Sequence, residues 1–317
     1  MKMQNIWLIG AGNMALDYVK VLKDLPCTFT VIGRSEQSAA RAEKEAGVPV
    51  VRGGVTDFIR NGNPLPDMAI VATGVLELAS TAFTLMDASI KRILLEKPGG
   101  ANPKEIENLS QRAKEKGCEI ILAFNRRFYQ SVIEAKKIME EDGGVTSFQF
   151  DFTEWSSTIE KLNAPKELLE AWLLANSWHV IDMAFYLGGV PRELSGVASG
   201  DLKWHPTGSI FVGAGVSVHG IPFSYHANWE SAGRWGVEMN TLKRKLIFKP
   251  LEKLQVMMKN SVAIEFAELD YEMDTNYKPG LYLQTKAFME QKKDCLIDIH
   301  EFSQQMKWYL AIRNGGS

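Results

Sequence analysis

Short apolar runs alternate with amphipathic stretches along residues 1–124. The runs Ile6–Ile9, Phe29–Ile32, Met68–Val71, Ile93–Leu95 and Ile120–Ala123 are rich in Ile, Val and Leu and bounded by Gly, Pro, Asp or Lys. Each predicts a strand buried on both faces of a parallel sheet. Between them, apolar residues recur at helical spacing in Met14–Leu25, Glu36–Ala46, Leu76–Met86 and Pro103–Lys116. The last of these has Asn102 as N-cap, Pro103 at the first helical position and Gly117 past its end. Such alternation predicts right-handed crossovers and a doubly wound sheet.

After Asn125 the period changes. Tyr129–Glu141 still reads as a helix, stopped by Gly143 and Gly144, but Val145–Glu154 alternates with period two and places Phe148, Phe150 and Phe152 on one face. A helical section over about Glu167–Leu187 follows. Strand-like runs then come at Gly196–Trp204, Ser209–Val218, Phe223–Trp229, Trp235–Asn240, Leu246–Phe248 and Leu254–Met258, with turns at His219-Gly220 and Lys249-Pro250. Strands so closely spaced predict an antiparallel or mixed sheet. Two helices, near Gly280–Lys293 and Ile299–Ile312, close the chain. The expected organisation is α/β over residues 1–124, a Rossmann-type doubly wound domain, followed by an α+β domain over 125–317 with a large, open, mostly antiparallel sheet. No internal repeat or low-complexity linker marks the boundary.

Composition changes this picture little. The 317 residues are 45% apolar, enough for a substantial core, and 36 basic side chains nearly balance 38 acidic ones. Without a run of one sign, neither nucleic acid nor an anionic membrane is the expected partner. The apolar start of the chain is short and interrupted by glycine, and it reads as a first strand rather than a signal peptide. No stretch approaches the roughly 18 apolar residues of a membrane helix. Cys27, Cys118 and Cys295 are far apart and form no metal or redox motif. They are expected to be buried thiols of a cytoplasmic protein.

Candidate chemistry begins directly after the first strand. Gly10-Ala11-Gly12-Asn13-Met14-Ala15 is a G-x-G-x-x-A fingerprint opening a helix. Gly10 permits a tight turn, Gly12 lets the backbone approach a pyrophosphate, and Ala15 allows close packing of helix on strand. The amides of that helix start, including Asn13 and Met14, would face the phosphates. The second strand ends at Ile32-Gly33-Arg34-Ser35. An NAD site usually has a carboxylate there for the ribose 2′-hydroxyl, whereas an arginine suits a 2′-phosphate. Arg34 and Ser35 therefore favour NADP, with Glu36 close by as a complication and a solvated loop arginine as the bland alternative.

Glu96-Lys97-Pro98 follows the strand that ends at Leu95. Residues beyond the carboxyl end of such a strand line the ligand crevice, so Lys97 is placed where nicotinamide and substrate could meet. Beside an oxidised nicotinamide in a water-poor cleft, its pKa would fall through like charge and desolvation. The second candidate is His179, in Asn176-Ser177-Trp178-His179-Val180-Ile181-Asp182. Asp182, at i+3, shares its helix face. Histidine suits the proton exchange that accompanies hydride transfer to or from an alcohol, because its unperturbed pKa lies near neutrality. The other histidines show no ligand spacing with it, so no metal site is expected.

With these residues in order, the chain resembles the Gfo/Idh/MocA oxidoreductases over nearly its whole length. The resemblance is carried by the glycine loop, Glu96-Lys97-Pro98, Asn125-Arg126-Arg127-Phe128, the helix with His179 and Asp182, and the late stretch Arg244–Leu251. It implies that Lys97 contacts the reacting hydroxyl or the nicotinamide ribose and that His179 is the acid/base. It further implies that Asn125 and Arg127 line the cleft, that Thr73 flanks the cofactor, and that Glu96 belongs to its binding site. Asn176 and Asp182 would help position a polyol. Many members carry an aspartate four residues before the histidine; that position is Ala175 here, and the neighbouring Asn176 cannot share a proton. Tyr277-Lys278-Pro279-Gly280-Leu281-Tyr282 resembles members linked to nucleotide-sugar or surface-polysaccharide metabolism. The expected function is NAD(P)-dependent hydride transfer on a sugar, nucleotide sugar or cyclitol, in a homodimer or homotetramer formed through the C-terminal sheet. The alternatives are a catalytically silent nucleotide-binding regulator or scaffold, and a reductase of a non-sugar carbonyl or imine.

Overall fold

The computed structural model describes residues 3–316. By compactness the chain divides into two units, residues 1–125 with 275–304 and residues 126–274 with 305–317. Residues 275–304 thus belong with the first unit although they follow most of the second in sequence.

The first unit is built on β1 (Gln4–Ile9), α1 (Asn13–Lys23), β2 (Cys27–Ile32), α2 (Glu36–Ala46), β3 (Val50–Val51), α3 (Gly54–Arg60), β4 (Met68–Val71), α4 (Val75–Asp87), β5 (Arg92–Glu96), α5 (Pro103–Lys116) and β6 (Glu119–Ala123). The sequence pattern anticipates all but β3 and α3, which are too short to carry a period. Five parallel pairings, closed by an antiparallel end strand β15 (Ile297–Asp298), give the order β15-β6-β5-β4-β1-β2-β3. This is a doubly wound Rossmann sheet, and its order reverses between β1 and β4. The central strands are buried on both faces: every residue of β4 and the last four of β5 and β6 are buried. The expected cap of α5 is present, with Asn102 accepting from the Glu105 amide and Gly117 in the left-handed region. Late in the chain, α11 (Leu281–Met289) packs against α1.

The second unit opens with a 3₁₀ turn at Asn125–Phe128, then α6 (Gln130–Glu141) and β7 (Ser147–Asp151). The helical section expected as one piece is broken into α7 (Ser156–Ile159), α8 (Lys166–Glu170), a π-helical turn at Leu173–Ser177 and α9 (Trp178–Gly188). The remaining strands are β8 (Pro191–Ser199), β9 (Ile210–Ser217), β10 (Pro222–Asn228), β11 (Gly236–Asn240), β12 (Arg244–Phe248), β13 (Gln255–Met258) and β14 (Glu265–Phe266). The first of these lies about five residues earlier than its apolar pattern suggests, because the Trp204 region instead forms an aromatic cluster with His205 and Trp229. The α10 turn (Glu272–Asn276) precedes α11, and α12 (Ile299–Asn314) ends the chain. The sheet runs β14-β13-β12-β11-β7-β10-β9-β8, antiparallel except where β7 and β10 pair in parallel.

Among the described residues, α9 packs on one face of this sheet, against β7 and β11. Phe148, Phe150 and Phe152 form the face foreseen from the alternation and meet Phe185, Phe223 and Tyr225 at ring-centroid distances of 5.0–6.3 Å. Gly188 closes α9 because a Cβ there would lie 2.3 Å from the Phe148 ring. Of the cysteines, only Cys118 is fully buried; Cys27 and Cys295 are partly exposed, and all three are free thiols. No helix among the described residues is long and apolar enough to cross a membrane.

Candidate active site

In the first unit a cleft of about 550 Å³ opens where the sheet order reverses, with Gly10, Gly12, Arg34, Ser35, Thr73 and Glu77 in its wall. The cleft is made largely by backbone. Gly10 has φ +123°, and a Cβ there would lie 2.4 Å from the Ala72 carbonyl oxygen, so only glycine lets the two loops touch. Gly12 is the N-cap of α1, and no side chain caps the amides behind it. Those amides, at the positive end of the helix dipole, are donors for a pyrophosphate. Thr73 contributes a buried hydroxyl without a hydrogen-bond partner. Uncapped amides, a loop that tolerates no Cβ and an unsatisfied hydroxyl all fit a dinucleotide.

At the mouth, the Arg34 guanidinium is 75% exposed and pairs with Glu77. Ser35 caps α2, accepting from the Ser38 amide at 3.1 Å. Asn13 accepts from Arg41 at 2.7 Å. Glu36, the one nearby carboxylate able to imitate an NAD-type acid, is held bidentately by Arg52 Nε at 2.8 Å. Arg52 also grips Glu43, holding that carboxyl down at about 2.

Lys97 follows β5, half-buried, and its peptide bond to Pro98 is cis. Its neighbour Glu96 is buried and accepts a 2.8 Å hydrogen bond from the Tyr18 hydroxyl, which in turn accepts from Gln284 Nε2 at 3.3 Å. Burial pushes the Glu96 carboxyl above its ordinary range, and the Lys97 ammonium is the largest opposing influence. Glu96 therefore ties the strand end to α1 and α11 rather than projecting into open space. Asn125 donates to the Pro279 carbonyl at 2.9 Å. The Tyr277–Tyr282 segment braces the same unit: Tyr277 donates to Asp24 at 2.8 Å and Lys278 pairs with Asp17 at 3.3 Å.

In the second unit, His179 lies buried in the first turn of α9, next to Trp178, which packs edge-on against Phe185 and Tyr309. Two residues expected to position substrate instead engage each other. Arg127 Nε and Nη2 donate to the two Asp182 oxygens at 2.9 and 2.6 Å, and Asp182 is only 1% exposed. A fork-to-fork pair of this kind fixes the α9 face on which His179 stands. Ala175 is buried within the π-helical turn that leads into α9. Such turns often mark functional sites.

Sequence reasoning missed Glu154. It lies beyond the end of β7, 2% exposed, and accepts from Ser177 Oγ at 2.7 Å, Asn176 Nδ2 at 2.9 Å and Arg234 Nη1 at 3.2 Å. Burial raises its pKa against the pull of these donors. No motif announces it, because its partners lie 22 or more residues away. The one available signal was a glutamate ending a strongly apolar strand.

The comparisons with known proteins bear on the first domain and on the fold. Residues 4–124 match the family model described as the Gfo/Idh/MocA oxidoreductase family, NAD-binding Rossmann fold. The likeness to that family is thus carried by residues 4–124. Trans-1,2-dihydrobenzene-1,2-diol dehydrogenase of Oryctolagus cuniculus is 27% identical over 139 residues, 42% of this chain and 41% of that enzyme. The NADP(+) scyllo-inositol 2-dehydrogenase IolW of Bacillus subtilis is 26% identical over 108 residues, 33% of this chain and 30% of that enzyme. These alignments span well under half the length of the curated relatives. An NAD binding oxidoreductase from Klebsiella pneumoniae superposes with a TM-score of 0.77 over 98% of this chain and 96% of that one, at 16% identity. The fold is thus shared with that structure over nearly its whole length.

Proposed function

We propose that this chain is a Gfo/Idh/MocA-type NAD(P)-dependent dehydrogenase or reductase. Its substrate would be a secondary alcohol or ketone of a sugar, nucleotide sugar or cyclitol-like molecule. The observation that carries the reading is the cleft at the sheet's switch point, with uncapped α1 amides, the Gly10–Ala72 contact and the orphaned Thr73 hydroxyl. Residues 1–124 would hold the nucleotide, and residues 125–317 would supply substrate contacts and assembly through the sheet as a dimer or tetramer. The exposed Arg34, with Glu36 occupied by Arg52, supports NADP over NAD. The bound nucleotide would supply or accept the hydride. Lys97 would hold and polarise the reacting oxygen, and His179 would take or return its proton. Asn125 and Asn176 would contact substrate hydroxyls, while Arg127 and Asp182 would position the α9 face through their own ion pair. The unlinked thiols fit a reducing cytoplasm.

Two measurements test this. Titration with NADPH and NADH should change tryptophan fluorescence. A panel of sugars, sugar acids, nucleotide sugars and inositols should include a substrate that changes the near-ultraviolet absorbance of the nicotinamide. Lys97→Ala and His179→Ala should each lower turnover by roughly 10²–10⁴-fold while nucleotide binding survives. The buried Ala175, which offers no proton, favours a second reading: a silent nucleotide-binding regulator. Nucleotide binding without turnover on any panel member would select that reading. A substrate found only among aromatic carbonyls or imines would redirect the specificity.

A further inference from the structure

The consecutive arginines Arg126 and Arg127 meet different fates. Arg127 is neutralised by the two oxygens of Asp182. Arg126 forms no ion pair among the described residues. Its Nε donates to the Tyr129 hydroxyl at 3.2 Å, and its buried Nη1 has no hydrogen-bond partner. Its guanidinium carbon lies 4.5 Å from the centroid of the Trp235 ring, and a second guanidinium, that of Arg234, lies 4.0 Å from the same centroid. Arg234 also lies 4.6 Å from the ring of Trp155, which is 54% exposed and is held by a 2.9 Å bond from its indole nitrogen to the Gly233 carbonyl. The Glu154 carboxylate is paired with Arg234 in this cluster. Glu252 and Asp274 act on Tyr129 at longer range without bridging Arg126.

An unsatisfied guanidinium donor in a buried position is costly unless a ligand completes it. Its charge requires an anion, and its planar fork suits a carboxylate or a phosphate. Of the two indoles, Trp235 is buried beneath the guanidiniums, and the exposed Trp155 is the apolar face of the sort a sugar ring covers. We infer that Arg126 and Arg234, with Trp235, which both guanidiniums contact, and the exposed Trp155 beside Arg234, form a binding site for the anionic group of a carbohydrate, either a sugar acid or a phosphorylated sugar. This rests on the dehydrogenase reading for the purpose of the site, but it concerns ligand charge and is measurable without turnover.

The test is a fluorescence titration of the protein with glucuronate, glucose 6-phosphate and neutral glucose. NADPH is titrated first and then held at saturation so that phosphate cannot report from the nucleotide cleft. The expected result is quenching by an anionic sugar at concentrations where glucose has no effect, lost with Trp235→Phe and weakened at least about 10-fold in Arg126→Gln. Arg126→Lys keeps the charge without the fork and should fall between. Preference for glucuronate identifies the carboxylate source, and preference for glucose 6-phosphate the phosphate source. Equal binding of glucose and the anions, or no anion binding, overturns the inference in the wild-type protein alone, whether or not Arg126→Gln folds. An affinity unchanged by either Arg126 substitution overturns it as well. Failure of the first NADPH titration would instead remove the oxidoreductase reading and leave the anion result standing on its own.

Discussion

The two sheets bury their residues by different rules. In the first unit, β4 and the ends of β5 and β6 are buried at every position. In the second, β10 alternates strictly between exposed and buried, and β7 and β11 bury only every other residue. A parallel sheet needs helical crossovers, and the crossovers cover both faces; a meander of hairpins leaves one face open. The difference extends to function. The proposed nucleotide cleft is mostly main chain: a glycine turn, a helix start and the loop after β4. The candidate substrate region is side-chain work, in which Asn176 and Ser177 of the π-helical turn and Arg234 of the loop before β11 converge on the buried Glu154 carboxylate beyond β7.

The sharpest way to break this contrast is Asp182→Asn. It leaves the buried Arg127 charge without its counter-ion, which should cost about 3–5 kcal/mol. The melting temperature should fall by roughly 6–20 °C, read by calorimetry. Substitution of Gly10 by Val forces a side chain into a φ of +123° and against the Ala72 carbonyl. The expected result is loss of NADPH binding by calorimetric titration together with a strain cost of about 1–3 kcal/mol. Since that site is backbone-built, no polar substitution at Gly10 should restore it.

Arg34→Ala separates the two nucleotides. It should weaken NADPH binding by about 10- to 100-fold, the range of a charge-assisted contact, and leave NADH nearly unchanged. Equal loss for both would remove the NADP preference. The smallest effect is the most diagnostic of the second unit. Burial holds the Glu154 pKa above its ordinary 4.5, so the folded protein binds a proton there more tightly than the unfolded chain does. Stability from this group is complete at low pH and declines as pH rises from about that value through the raised folded one. Glu154→Gln has no such proton to lose. The melting temperature of the wild type relative to Glu154→Gln should therefore fall as pH rises across that window, and a difference independent of pH would show that Glu154 does not titrate there.

Legibility followed the same division. Every long strand and helix of the Rossmann sheet was readable because period and capping are local: Asn102, Pro103 and Gly117 bracket α5 within one segment. The short β3 and α3 carry too few residues for a period. The Phe148–Phe152 alternation was readable too. The helical section before His179 looked continuous because a π-helical turn keeps helical apolar spacing while adding a residue to the turn. Asp182 was placed on the right helix face with the wrong neighbour in view, because helical spacing says which residues share a face and not what approaches from Arg127.

The amino-acid sequence by itself determined the strand–helix alternation, the glycine turn, the position of Lys97 after a sheet strand and of His179 at a helix start. These depend on backbone geometry and on apolar periods set within a few residues. Only the tertiary structure decided that Asp182 neutralises Arg127, that Glu154 gathers Asn176, Ser177 and Arg234, and that Arg126 keeps a buried donor beside Trp235. Those outcomes depend on which charges are desolvated together, and segments up to 80 residues apart must first fold before that is settled.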